Sequence, residues 1–316
     1  MEPQALAPIV VFVYNRPEHT QRTIESLAKN ALAKDSILYI FSDAAKNRQA
    51  EEGVKKVRDY IDLLTKKDYF KEVHIVKAQQ NKGLATSIIT GVEQVIEKSK
   101  KVIVLEDDLL SAPDFLSFMN EALEYYYDND KIGSISGYSP IASLPKQYRK
   151  DVWTACRSSS LGWGTWFNRW KEVDWDVKDF HHFQKDRYQI RQFNRCGSDQ
   201  YDRLHRQMNE GADSWAVRFS YWQFRAKKLT VFPARTRIQH IGWDGSGVHG
   251  TYSGPLDTHI THEPTPFILE NVEPDPKIIQ ELYKLYSGPF STQIARYLRS
   301  NGFERVEQFL RRVLGK

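Results

Sequence analysis

Three adjacent carboxylates, Glu106-Asp107-Asp108, are the residues in this chain best placed for chemistry. They close the apolar run Lys101 to Leu105, which reads as a short strand covered on both faces. In an open α/β sheet, ligands sit at the carboxyl ends of the strands. Neighbouring carboxylates repel one another unless a cation joins them, and hard divalent cations favour oxygen ligands. The stretch therefore reads as a metal site able to hold a diphosphate. A solvated acidic turn before a helix N-terminus, where acids are also favoured, would look the same.

Other polar residues follow other predicted strands. Arg16 comes after the first, where it can reach a phosphate or ribose, or simply pair with a local carboxylate. Asp43 comes after the second, free to accept from a base or ribose, or to cap the next turn. Lys82 and Gly83 lie at the start of the third helix, offering a positive charge and backbone freedom. Asp213 precedes a long amphipathic segment, as a cap or as a general base. Leu161-Gly162-Trp163 opens a Trp-rich stretch that reads as a pocket wall or as packing. His181-His182 is a poor metal pair, because adjacent side chains point in different directions.

The elements that must position these residues follow from periodicity. Strands are expected at 8–14, 37–41, 73–77 and 101–105, with helices at 18–29, 48–65 and 84–98 between them. Alternation of this kind makes a parallel, doubly wound sheet. A helix at 113–127, a strand at 132–138 and a loop at 139–151 follow. Further helices are expected at 165–173, 200–208 and from 211 on, then a last strand at 229–233. Gly-rich residues 242–250 read as a loop able to close on a ligand; they match neither a P-loop nor a dinucleotide turn. Residues 251–276 read as an irregular wrap and 278–316 as helical, ending in a basic amphipathic segment that either docks on the domain or lies on an anionic membrane. The domain division expected is 1–250, with a nucleotide half to about 110 and an acceptor half beyond it, followed by an extension over 251–316.

Composition narrows the class. With 316 residues the chain can build a full core, and 41% hydrophobic with 27% charged residues is ordinary for a globular protein. Eight Trp in a 13% aromatic chain suit either a pocket for sugars or flat ligands or plain packing. A net charge of +5 fits an anionic substrate or membrane surface and is too weak to indicate nucleic acid. Cys156 and Cys196 lack motif spacing, so free thiols in a reducing compartment are expected, with one disulfide as the alternative. No apolar run is long enough to span a bilayer and no leader is evident, which places the chain in the cytoplasm, with peripheral membrane contact left open.

Taken together, several pieces resemble a GT-A glycosyltransferase: Val13-Tyr14-Asn15-Arg16-Pro17, Ser42-Asp43, Asn81-Lys82-Gly83-Leu84 and Leu105-Glu106-Asp107-Asp108. The run from Val104 to Phe115 is similar to the acidic motif of the N-acetylglucosaminyltransferase I family. Leu161-Gly162-Trp163, Asp213-Ser214-Trp215 with Arg218, and Pro233 through Thr236-Arg237 to His240-Ile241-Gly242 follow in that family's order. The resemblance covers roughly residues 8 to 245, each piece being short and their joint order being the specific signal.

The resemblance implies a GT-A fold, mostly parallel and flanked by helices, with a helical C-terminal extension. It implies that Asp108 ligates Mn²⁺ or Mg²⁺ on the donor diphosphate, and that Glu106 and Asp107 contact donor sugar and ribose. Asp43 would hold the uracil, Arg16 the nucleotide, and Asp213 would deprotonate the acceptor hydroxyl. Leu161 and Trp163 would shape the sugar pocket. The activity implied is inverting transfer from a nucleotide-sugar, UDP-linked by the resemblance, to a glycan or glycolipid in surface polysaccharide synthesis. A sugar-phosphate nucleotidyltransferase is the first rival, but it would carry a Gly-rich basic signature where Asn15-Arg16-Pro17 stands. The second rival, a non-catalytic carbohydrate-binding protein on the same fold, would have been favoured by loss of Asp108 or Asp213, and both are present.

Overall fold

The computed structural model describes residues 5–245, 256, 258–300 and 303. Its first part alternates: β1 (Ile9–Val13), α1 (Pro17–Ala28), β2 (Ile37–Ser42), α2 (Arg48–Leu64), β3 (Glu72–Lys77), α3 (Leu84–Ser99) and β4 (Lys101–Glu106). β1 lies between β2 and β4, and all three pairings from β3 to β4 are parallel. Their side chains divide by strict alternation. Ile9, Val11, Ile103 and Leu105 face the side covered by α1 and α2, while Val10, Phe12, Val102 and Val104 face α3. Burial on both faces explains the unbroken apolar runs.

The second part is less regular: β5 (Leu109–Ser111), α4 (Phe115–Tyr125), β6 (Ile132–Ser136), β7 (Val152–Ala155) and β8 (Trp163–Trp166). Short helices α5 (Phe167–Trp170), α6 (Phe180–Phe183) and α7 (Arg187–Phe193) precede α8 (Gln200–Asn209) and α9 (Trp215–Arg225). Then come β9 (Leu229–Pro233), β10 (Ile238–His240), α10 (Pro276–Ser287) and α11 (Phe290–Ser300). The main sheet has eight strands in the order β3-β2-β1-β4-β8-β6-β9-β7, with β10 and β5 forming a separate antiparallel pair. β8 runs antiparallel between β4 and β6, and β7 antiparallel to β9. The fold is thus a mostly parallel mixed sheet flanked by helices, the GT-A class expected.

The structure corrects three expectations. Residues 163–166 form a strand inside the sheet, where a pocket wall and the start of a helix were expected. Trp163 is 1% exposed and stacks between Trp215, at 4.7 Å, and Trp170, at 5.6 Å. Its bulk is core on the α3 side of the sheet, because alternation along β8 aims it at α9 rather than at solvent. The cysteines are not free: Cys156, just after β7, is bridged to Cys196, with Cα atoms 6.5 Å apart. Forty residues of separation carry no sequence signal for this pairing. The cysteine argument for a reducing compartment therefore falls away.

Residues 258–275 contain no helix or strand. They are tied to the body by hydrogen bonds from Tyr126 Oη to Glu270 O, at 2.6 Å, and from Thr154 Oγ1 to Val272 O, at 3.1 Å. The closing-loop expectation at 242–250 falls partly outside the described residues, as does the basic segment beyond 303.

Candidate active site

β1 and β4 are adjacent and in parallel register, with Phe12 opposite Glu106, so the turns after them emerge side by side. That places Arg16, at the entrance to α1, against the acidic turn. Its Nη2 pairs with Asp107 Oδ1 and lies 2.9 Å from Asp108 Oδ2. The Tyr14 amide donates to Asp107 Oδ2 at 3.4 Å. α1 holds the turn from below: Thr23 Oγ1 donates to Asp107 O at 2.8 Å and accepts from the Leu109 amide at 3.2 Å.

The short β5–β10 ladder brings in His240, which the sequence offered only as part of the resemblance. Leu109 pairs with His240, and the Ile241 amide donates to Asp108 O at 2.9 Å. His240 Nε2 consequently lies 3.2 Å from Asp108 Oδ2. The chain then passes so close that a Cβ on Gly242 would overlap the Asp108 carboxylate, so this position requires glycine. Trp243 packs on the His240 ring, with centroids 4.3 Å apart. No spacing rule joins residues 108 and 240; the only sequence signal was their common membership in the resemblance.

Three carboxylates against one guanidinium leave an excess of negative charge in a poorly solvated corner. Burial, with Asp108 and Asp107 alongside, pushes Glu106 up to about 8. Burial also pushes Asp107 up to about 6, although Arg16 opposes it. Asp108 is the exception: burial would raise it, but His240 and Arg16 hold it down to about 2. Burial opposes the charge of Arg16, and the pull of Asp107 and Asp108 outweighs this, raising the guanidinium above its usual range. The carboxyl held lowest is the one that faces His240.

This corner suits a hard divalent cation. Asp108 Oδ2 and His240 Nε2 converge, and His240 Nδ1 is buried with no hydrogen-bond partner. Among the described residues no group of three His, Cys, Asp or Glu side chains is arranged to hold a metal alone. A two-ligand protein site leaves the remaining positions to phosphate oxygens and water, the arrangement usual for cations that travel with nucleotides.

Asp43 and Asp213 meet at a second point, the N-terminus of α3. Asp43 accepts from the Lys82 amide at 3.0 Å, the Gly83 amide at 3.1 Å and Asn81 Nδ2 at 3.0 Å. Asp213 Oδ2 accepts from the Ala85 amide at 3.2 Å. Gly83 has φ +77°, and a Cβ there would sit 2.9 Å from Asp213 Oδ2. α3 has no side-chain cap from its own N-cap residue, so two distant aspartates satisfy its orphan donors. The cap expected for Asp213 is real, but it caps α3 and not α9. Lys82 is exposed beside this point. Leu161 is half-buried, and its neighbour Gly162 packs against Ile238 of β10, two residues from His240. The structure thus gathers Arg16, Glu106, Asp107, Asp108 and His240 in one cluster, and Asp43, Lys82 and Asp213 in a second.

The profile of Glycosyl transferase family 2 matches residues 9–196, more than half of the chain. The chain belongs to glycosyl transferase family 2. Residues 9–196 therefore make up a glycosyltransferase domain. No curated protein matches the chain. Among solved structures, S. aureus TarS is 14% identical over 45% of this chain and 22% of its own, with a TM-score of 0.30. The structure of TarS residues 1–349 is 9% identical over 73% of this chain and 59% of its own, with a TM-score of 0.42. The mannosyltransferase PcManGT from Pyrobaculum calidifontis, in complex with GDP-Man and Mn2+, is 13% identical over 72% of each chain, with a TM-score of 0.38. The family 2 chain spans about a fifth of the length of the first of these TarS chains. These likenesses are too distant to carry site residues across.

Proposed function

We propose that this family 2 enzyme is an inverting, metal-dependent transferase, similar to N-acetylglucosaminyltransferase I, that moves a sugar from a UDP-linked donor to a glycan or glycolipid in surface polysaccharide synthesis. The observation that carries the reading is the convergence of Asp108, His240 and Arg16 at the carboxyl end of β4, where negative charge exceeds positive. Asp108 and His240 would hold Mn²⁺ or Mg²⁺. When bound, that ion would neutralise the charge developing on the departing diphosphate.

The chain's own residues do the rest. Asp108, ionised under the influence of His240 and Arg16, supplies an anionic ligand without first losing a proton. Arg16 shares its guanidinium between two aspartates and can turn one N–H toward phosphate. Asp107 and Glu106 meet ribose and donor sugar, and a protonated Glu106 can donate a hydrogen bond to a hydroxyl. Asp43 fixes the 81–83 turn and with Lys82 lines the nucleotide side. Asp213, exposed at the head of α3, takes the acceptor's proton. Leu161 borders the donor pocket; Trp163 supports it from beneath through packing. Residues 1–250 form the catalytic unit in this reading, its halves meeting near 110, and 251–316 the extension. A cytoplasmic site of action belongs to the same proposal.

The test is calorimetry of UDP binding with and without Mn²⁺, on the wild type and on Asp108→Ala. Binding that needs both the ion and Asp108 is expected. Metal-independent UDP binding that survives Asp108→Ala would overturn the metal assignment. Binding of GDP, CMP or dTDP in place of UDP would correct the donor, and silence across all four would overturn the catalytic reading.

A further inference from the structure

A second buried cluster carries the opposite surplus to the acidic corner. Arg157, just after β7, meets Asp199 at the head of α8 through two parallel bonds of 2.7 and 2.8 Å. These two satisfy each other. Arg203 Nη1, one turn along α8, stands 3.8 Å from the same carboxylate, and Arg296 of α11 acts on it as well. Three guanidinium groups therefore share one carboxylate, a surplus of two positive charges within the group.

That surplus sits on Arg203 and Arg296. The Arg203 guanidinium makes no hydrogen bond among the described residues, and its side chain is 37% exposed. Burial and the nearness of Arg157 lower it from its usual range, against the pull of Asp199. Arg296 donates through Nη1, to Ser198 Oγ at 3.3 Å, Tyr286 O at 3.1 Å and Ser287 O at 2.7 Å, which leaves its other N–H groups available.

Gln200 is an independent observation at the same place. It is 0% exposed, yet neither the nitrogen nor the oxygen of its amide has a hydrogen-bond partner. A buried amide left in that state is costly, so its retention points to a partner that arrives from outside. Helix positions three apart are neighbours on one face, with Cβ atoms about 5–6 Å apart. The Gln200 amide and the Arg203 guanidinium therefore present donors to the same side of α8. Guanidinium forks match the oxygens of phosphate, and a phosphate dianion cancels two positive charges where a carboxylate cancels one.

We propose that Arg203, Gln200 and Arg296 form a binding site for a dianionic phosphate group, with the Arg157–Asp199 pair as its rigid floor. The site uses no residue of the acidic corner.

The experiment is calorimetric titration of the full chain with sodium phosphate, with neither metal nor nucleotide present. Saturable binding is expected, weakened at least about tenfold in Arg203→Gln and about threefold in Gln200→Leu. Without phosphate, Gln200→Leu should melt no lower than the wild type, because its amide has nothing to lose, and added phosphate should raise its midpoint less. Diethyl phosphate, a monoanion, should bind about tenfold more weakly than phosphate. Glycerol 3-phosphate separates the two sources of such a dianion. Affinity equal to that of phosphate assigns the site to a monoester terminus, exclusion assigns it to the free ion, and both support a dianion site. No binding up to about 10 mM phosphate, unchanged binding in Arg203→Gln, or equal affinity for diethyl phosphate would overturn the proposal. So would a Gln200→Leu variant that melts lower yet binds phosphate as the wild type does, which would make Gln200 a packing residue. The titration contains no nucleotide, so this proposal and the donor assignment fail separately.

Discussion

Two buried arginine–aspartate clusters in this protein are built to opposite plans. Around Arg157 positive charge exceeds negative, since Arg203 also lies 3.8 Å from Asp199 and Arg296 acts on the same carboxylate. The Arg157 guanidinium grips Asp199 with two parallel bonds of 2.7 and 2.8 Å, and its face lies 3.5 Å from the Tyr286 ring centroid. Burial would raise Asp199, but Arg157 overrides it and the carboxyl is held below its usual range. Around Arg16 the surplus is negative, since one guanidinium serves Asp107 and Asp108 with Glu106 close behind. The first cluster has no shortage of positive charge and staples the chain after β7 to the turn before α8. The second is short of positive charge. An ion pair's stoichiometry, more than its burial, separates a fastener from a binding site.

That comparison can be broken in four places. The largest effect is expected at Asp108→Ala, which removes the ionised ligand. Transfer should fall about 10⁴-fold, equivalent to about 5 kcal/mol, with little change in thermal midpoint. Steady-state assay and melting measured together decide this, and a large loss of stability would put Asp108 in the fastener class.

Arg157→Ala should do the opposite. It strands a buried carboxylate at a cost of about 3–5 kcal/mol, read by denaturant unfolding, while nucleotide affinity in the folded fraction is unchanged. Replacing both partners, Arg157→Leu with Asp199→Leu, should recover much of that loss. If it does not, the pair does more than fasten.

Asp213→Asn should lower kcat about 10²-fold and leave UDP affinity intact, since the amide can still accept from Ala85 but cannot take a proton. A matching fall in nucleotide affinity would make Asp213 a part of the donor site.

The smallest effect is a difference in pH slope. Glu106 and Asp107 have raised values, so their contribution to stability is present in acid and is lost as pH climbs from the ordinary carboxylate range through about 6 and about 8. Asp199 has a lowered value, so its contribution is present at neutral pH and is lost only as pH falls below 3.8. Each titrating proton contributes at most about 1.4 kcal/mol per pH unit. Metal-free protein should therefore lose stability between pH 4.5 and 8, and Mn²⁺ with UDP should flatten that limb. Asp199→Asn should flatten only the acid limb. Identical pH profiles for all three would erase the distinction between the clusters.

Much of the fold was legible. The strands β1, β2, β3 and β4 and the helices between them lie within a residue or two of expectation, because β1 and β4, buried on both faces, write unbroken apolar runs and the helices covering the sheet write long, repeated patterns. β5, β7, β8 and β10, of three or four residues each, escaped, since strands so short have no period to read. Trp163 was misjudged for the same reason: in an unrecognised strand its direction could not be assigned. Asp213 was legible as a cap, though of the helix after it and not of α3, and His240 was legible only as part of the resemblance.

The sequence by itself determined the parallel core and the placing of Glu106, Asp107 and Asp108 at the end of a buried strand. These are consequences of local alternation and of strand polarity. Only the tertiary structure decided which separate residues meet: His240 with Asp108, Asp213 with the head of α3, Cys156 with Cys196. Each of those meetings joins stretches forty or more residues apart through strand pairing or helix packing. Local periodicity reports which way a side chain faces, and it holds no information about what the fold brings to face it.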